Sequence, residues 1–144
     1  MIQFQHVYKE YRRGSTPVVA LRDVCVEIQQ GEFCALMGPS GSGKSTLLHL
    51  VAGLDWVTSG NILLDGRSCL AFGDQEWTRW RREQVGVVFQ AFHLIPGLTI
   101  EENVAIPLRL RGEESRTVRT QTAEMLERVG MSHRLGHRSH ELSG

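Results

Sequence analysis

Apolar residues recur along this chain in three rhythms. From Ile2 they alternate loosely through Phe4, Val7 and Tyr8, which predicts a strand over residues 2–11. Residues 12–17 are rich in turn formers and read as a hairpin connection. Leu21, Val24, Val26 and Ile28 then predict one or two edge strands over 18–28, closed by a turn at Gly31. The second rhythm is continuous: residues 33–37 and 85–89 are apolar almost throughout. Such runs predict strands buried on both faces, lying side by side in a parallel sheet. The third rhythm is helical. Leu47, Leu48, Leu50, Val51 and Leu54 mark one stripe after Gly43.

Punctuation residues set the remaining boundaries. Residues 58–60 predict a turn and 61–64 a short strand ended by Asp65 and Gly66. Asp74 is a suitable N-cap for a helix to about Gln84, in which Trp77 and Trp80 are one turn apart and read as packing residues. Thr99 and Glu102 form a capping-box pair opening a helix that Pro107 must end or kink. From Ser115, the positions Val118, Met125, Leu126 and Val129 predict a helix stopped by Gly130.

Between the apolar run 33–37 and the stripe that starts at Leu47 lies the most informative stretch. Gly38, Pro39, Ser40, Gly41, Ser42, Gly43, Lys44, Ser45 and Thr46 meet the spacing G-x-x-x-x-G-K-[ST]. Glycines allow successive backbone N–H groups to turn inward as a nest of partial positive charge. The helix start adds unpaired N–H groups and its dipole, so a polyphosphate is the natural occupant. Lys44 would reach the terminal phosphates, and the Ser45 hydroxyl would be offered to Mg²⁺. The chain has only two lysines, Lys9 and Lys44, beside fourteen arginines, so this lysine stands out. The plainer reading, a Gly/Ser turn that only caps a helix, does not account for strand, loop and helix all falling where the motif needs them.

Bulk properties narrow the class. A chain of 144 residues fits one domain, and zero formal net charge argues against nucleic acid as a partner. Its apolar runs are too short for a membrane span. Cys25, Cys34 and Cys69 are odd in number and widely spaced, and read as buried free thiols in a reducing cytoplasm. His133, His137 and His140 have helix-like spacing, yet Gly136 and the surrounding Arg and Ser predict a solvated loop and not a metal site. The charged run 79–83 reads as the wet face of its helix.

The phosphate loop alone leaves kinases, GTPases and many ATPases open. Four further stretches resemble the ABC transporter ATPases. These are Val85 through Gln90, similar to that family's Q-loop strand; Leu98 through Val104; Leu54-Asp55 with Thr58-Ser59-Gly60; and Leu142-Ser143-Gly144, similar to the opening of the LSGGQ signature. With Leu21-Arg22-Asp23-Val24 ahead of Gly31-Glu32, the pattern is most similar to the lipoprotein-release, macrolide-export and cell-division branch. The resemblance covers nearly every residue present but only about the first three-fifths of a family ATPase domain.

The resemblance implies an α/β P-loop NTPase fold. An N-terminal antiparallel β subdomain and nucleotide-binding core would occupy residues 1–90, and the Q-loop segment and start of the helical subdomain residues 91–144. It implies an ATPase subunit that binds ATP and Mg²⁺ and couples hydrolysis to transport or mechanical work. Tyr11 falls where the family places an aromatic ring against adenine, although an edge-strand tyrosine without a ligand remains an alternative. Gln90 matches the glutamine that contacts Mg²⁺, and Ser143 and Gly144 match residues that contact the γ-phosphate held by the opposite subunit. A membrane-spanning permease would dock on residues 90–96, with Phe92, Leu94 and Ile95 as apolar contacts. Two ATPase domains would pair head to tail, at the inner face of the plasma membrane. Val57 departs from the proline common in this branch. The family's Walker B strand, catalytic glutamate and switch histidine all follow the signature, so the chain is expected to be part of a longer ATPase and a poor catalyst by itself. The other readings are a module that binds ATP without hydrolysing it, and a small P-loop kinase.

Overall fold

The computed structural model describes residues 1–90 and 93–142, with Arg13 described by its backbone alone. It divides into two compact units, Met1–Gly86 and Val87–Gly144.

The first unit is built on a four-stranded antiparallel sheet of order β2-β1-β3-β4, comprising β1 (Ile2–Arg13), β2 (Thr16–Ile28), β3 (Ser59–Leu64) and β4 (Arg67–Ser68). The expected hairpin forms, but its strands run on to a two-residue turn at Gly14 and Ser15, and β2 is one strand. Asp65 and Gly66 both take positive φ, which suits the tight turn joining β3 to β4. Phe4, Val7, Leu21, Ile62 and Leu64 pack from the sheet against Leu47 and Leu50 of helix α1 (Lys44–Val51) and against Cys69 and Trp77. Trp77 belongs to α2 (Asp74–Glu83), whose N-cap is Gly73 and not Asp74: the Gly73 N–H donates to the Glu76 carboxylate at 3.1 Å. Both tryptophans are packing residues, as expected. Trp80 is part-buried and its ring N–H donates to the Val51 carbonyl at 2.9 Å. Leu48 and Leu54 lie outside the core.

The two continuous apolar runs correct the expectation of a parallel sheet. Residues 33–37 and 85–89 form neither strand nor helix, and Phe33, Met37 and Val88 are 96%, 91% and 100% exposed. A strand exists only through a neighbour that satisfies its N–H and C=O groups. Among the described residues the four antiparallel strands pair with one another, and neither run has a ladder partner. Two of the three thiols also depart from expectation: Cys25 and Cys34 are exposed and only Cys69 is buried.

The second unit holds α3 (Ile100–Leu110) and α4 (Ser115–Arg128), which bury Ala105, Leu108 and Val118 between them. The capping box is formed in both directions: Thr99 Oγ1 accepts from the Glu102 N–H at 3.2 Å, and Glu102 accepts from the Thr99 N–H at 2.8 Å. These bonds hold the Glu102 carboxyl below its usual range. Pro107 does not end α3, which continues to Leu110. On α4 the buried residues are Val118, Thr122 and Leu126, whereas Met125 and Val129 face solvent. The three C-terminal histidines lie in short 3₁₀ turns and their connecting loop, as expected.

One buried ion pair ties β1 to the turn after α1. Lys9 Nζ lies 2.5 Å from Asp55 and also donates to the Trp56 carbonyl at 2.7 Å. Burial alone would raise the Asp55 carboxyl. Hydrogen bonds from Lys9, Tyr11 and the Trp56 N–H outweigh it and hold that carboxyl below the ordinary range. A depressed folded pKa stabilises the fold above the unfolded value, about 3.9, and that stabilisation is lost as pH falls through the folded value. Urea unfolding midpoints measured between about pH 6 and about pH 2 should therefore fall less steeply for Asp55→Asn than for the parent chain. Gly60 makes a second prediction. It has φ +83°, and a Cβ there would collide with the His6 carbonyl on β1. Gly60→Ala should lose more than about 1 kcal/mol in the same unfolding experiment.

Candidate functional site

The loop from Gly38 to the start of α1 takes its shape from glycine at two points. Gly43 is the N-cap of α1 and has φ +89°. A Cβ at Gly43 would run into the Ala20 carbonyl oxygen and lie 2.8 Å from Leu21 Cδ2, so the helix start can sit this close to β2 only with glycine there. At Gly38 a Cβ would lie 2.8 Å from the Ser42 hydroxyl across the loop. The Ser42 N–H donates to the Pro39 carbonyl at 3.3 Å and completes the turn.

No side chain caps α1, and no acidic residue lies in its first turn. The first-turn N–H groups and the positive end of the helix dipole are thus left to an anion. Lys44 is held across the loop: Nζ donates to the carbonyls of Gly38 at 2.9 Å and Pro39 at 2.7 Å, and lies 3.3 Å from Ser42 Oγ. Its ammonium is therefore hydrogen-bonded across the loop, at the mouth of which it adds positive charge. Ala20 and residues 40–46 line an open cavity of about 230 Å³ here. Ser45 is exposed at the first turn, and Thr46 is half-buried.

Tyr11 belongs to the same site. Its hydroxyl donates to Asp55 at 2.6 Å, and the Thr46 side chain in the first turn of α1 lies near enough to act on the phenol. Burial, then the bond to Asp55, push its phenol pKa upward, so the ring stays neutral. Lys9 Nζ stands 4.7 Å from the centre of the Tyr11 ring. Lys9 and Asp55 thus set the orientation of Tyr11. Sequence reasoning gave Lys9 no role, although it is one of only two lysines in the chain.

Gln90 is exposed and belongs to the second unit, Val87–Gly144. Ser143, Gly144 and the proposed docking residue Phe92 lie outside the described residues. Asn103 of α3 organises the backbone of residues 95–99, a role sequence reasoning missed. Its side chain accepts from the Ile95 N–H at 2.8 Å and donates to the carbonyls of Ile95 and Thr99, at 3.2 and 2.9 Å.

Comparison with known proteins agrees with this geometry. The ABC transporter family model matches residues 21–144. The lipoprotein-releasing system ATP-binding protein LolD of Alcanivorax borkumensis is 41% identical over 144 residues, which is all of this chain and 63% of that protein. The ABC transporter ATP-binding protein YtrE of Bacillus subtilis is 39% identical over 148 residues, again across the whole chain and 64% of its own length. The dimeric, post-hydrolysis structure of the ATP-binding cassette MJ0796, bound to ADP and Pi, matches with a TM-score of 0.92 and 37% identity over 99% of this chain and 63% of that one. The chain therefore spans just under two thirds of the length of these relatives. The chain belongs to the ABC transporter family of ATP-binding proteins.

Proposed function

We propose that this chain is the nucleotide-binding portion of an ABC transporter ATP-binding subunit, and that ATP is the occupant of the cavity at residues 40–46. The observation that carries the reading is the uncapped start of α1, with Lys44 hydrogen-bonded across the loop and Tyr11 tied to Asp55. The triphosphate would lie on the N–H groups of the nest and the first turn, with Lys44 offsetting phosphate charge. Adenine would stack on the Tyr11 ring, whose face is set by Asp55 and Lys9.

The exposed Ser45 hydroxyl, at the first turn of α1, suits a hard cation that takes oxygen ligands and bridges to phosphate. Ser45 and Gln90 would hold Mg²⁺, which supplies further charge neutralisation when bound. Ser143 and Gly144 would contact the γ-phosphate of a second copy, in a head-to-tail pair. The dimeric cassette bound to ADP and Pi supports pairing and turnover as properties of the whole protein. Residues 90–96 would dock a membrane-spanning permease, and hydrolysis would be coupled to transport or mechanical work through it. Among the described residues no helix is long and apolar enough to cross a membrane, so attachment to the inner face of the plasma membrane would run through that partner.

We further infer that the unpaired runs 33–37 and 85–89 find ladder neighbours in the portion of the relatives that this chain does not span. Their exposed Phe33, Met37 and Val88 supply the apolar surface for it.

Two outcomes check the site. Lys44→Ala should weaken binding of a fluorescent ATP analogue at least tenfold, about 1.4 kcal/mol, with far-ultraviolet dichroism unchanged. Unchanged affinity would remove the phosphate-loop assignment. In the same titration Tyr11→Phe should stay near the parent value and Tyr11→Ala should lose about 1 kcal/mol, because the ring face and not the hydroxyl meets the base.

A further inference from the structure

A second group of chemically capable side chains lies on the exposed face of the β1–β2 hairpin and includes no residue assigned to the nucleotide. His6, Asp23 and Cys25 each present one ligand atom, and the three atoms lie within 4.8 Å of one another. His6 Nδ1 is 2.8 Å from Asp23 Oδ1 and 3.6 Å from Cys25 Sγ, and the His6 N–H also points at that sulfur from 3.3 Å. Among the described residues no other group of three His, Cys, Asp or Glu side chains converges in this way.

The convergence comes from two back-to-back bulges. The ladder pairs Phe4 with Val26 and then Val7 with Val24, so Gln5 and His6 on β1 oppose Cys25 alone on β2. It next pairs Lys9 with Leu21, so Arg22 and Asp23 on β2 oppose Tyr8 alone on β1. In an unbroken alternation His6 would share the inner face with Phe4, and Asp23 with Leu21. Each inserted residue instead turns its side chain outward, where Cys25 already points, while Val7 and Val24 return to the core side. The extra residues, His6 and Asp23, take φ of +49° and +51°. β3 is fitted to this shape, because only a glycine at position 60 clears the His6 carbonyl.

We propose that His6, Asp23 and Cys25 form a binding site for a borderline-soft divalent cation of the Zn²⁺ type, with water in the fourth position. The donor set of imidazole nitrogen, carboxylate oxygen and thiolate sulfur is the one Zn²⁺ accepts, and excludes a hard-cation site of Mg²⁺ or Ca²⁺ character. In a tetrahedral Zn²⁺ site the nitrogen–sulfur edge is about 3.6 Å, the separation already present between His6 and Cys25. The nitrogen–oxygen edge is about 3.3 Å, so an entering ion replaces the His6–Asp23 hydrogen bond after opening it by about half an ångström. The Cys25 thiol proton leaves to solvent as sulfur coordinates. A bound ion would cross-link β1 to β2 at the point where the bulges interrupt their ladder.

Co²⁺ is the probe, added to the full chain under reducing, nucleotide-free conditions, because thiolate coordination gives it a charge-transfer band in the near ultraviolet. The expected result is a band saturating at one ion per chain and displaced by Zn²⁺. It should persist in Cys34→Ser, which removes the other exposed thiol, and vanish in Cys25→Ser. His6→Asn and Asp23→Asn, chosen because asparagine tolerates positive φ and keeps the bulges, should each weaken Co²⁺ binding at least tenfold. ATP-analogue binding by each variant reports that the fold is retained. Absence of the band in the parent chain, its survival in Cys25→Ser, or equal Co²⁺ affinity in the two asparagine variants overturns the proposal.

Discussion

The approach of Gly43 to the Ala20 carbonyl is the constraint on which the site depends. It presses the N-cap of α1 onto β2, so the helix start is located by the sheet and not only by the loop that precedes it. The core follows from the same contact: Leu21, next to Ala20, packs with Leu47 and Leu50, the buried residues of α1. A larger residue at position 43 would have to lift the helix off that core or abandon its backbone conformation. Position 43 is thus both a packing position and the reason that the N–H groups of α1 stay uncovered.

A polar counterpart ties the other side of the site. Lys9, a buried residue of β1, holds Asp55, Asp55 holds Tyr11, and Tyr11 lies beside Thr46. Through these contacts the end of β1, the first turn of α1 and the turn after α1 share one network. A buried cation paired in this way is costly to leave alone, which makes the arrangement specific to this geometry.

What the sequence made legible was whatever is encoded by short spacing. The phosphate-loop spacing, the Thr99 and Glu102 capping box, the Asp65-Gly66 turn and the packing role of Trp77 and Trp80 each depend on residues within a turn of one another. The misreadings have a common cause in partners distant along the chain. Residues 33–37 and 85–89 carry the composition of buried strands, yet composition cannot supply a ladder neighbour. Cys25 read as buried because its neighbours Val24 and Val26 are apolar, yet it alternates with them onto the exposed face of a hairpin whose register shifts three times. Gly60, on a third strand, was the sole hint of that crowding, and it read as an ordinary turn residue.

The central claim is that the backbone of residues 38–46, fixed on β2 by Gly43, receives the triphosphate of ATP. Backbone amide chemical shifts recorded during titration with ATP, and in parallel with adenosine, test it most directly. The account predicts that ATP moves the amides of Gly41 through Thr46 together with the Lys44 side chain, that the Tyr11 ring responds to both ligands, and that adenosine leaves the loop amides nearly still. Shifts of equal size in the loop with adenosine, or ATP-induced shifts centred outside residues 38–46, would contradict it.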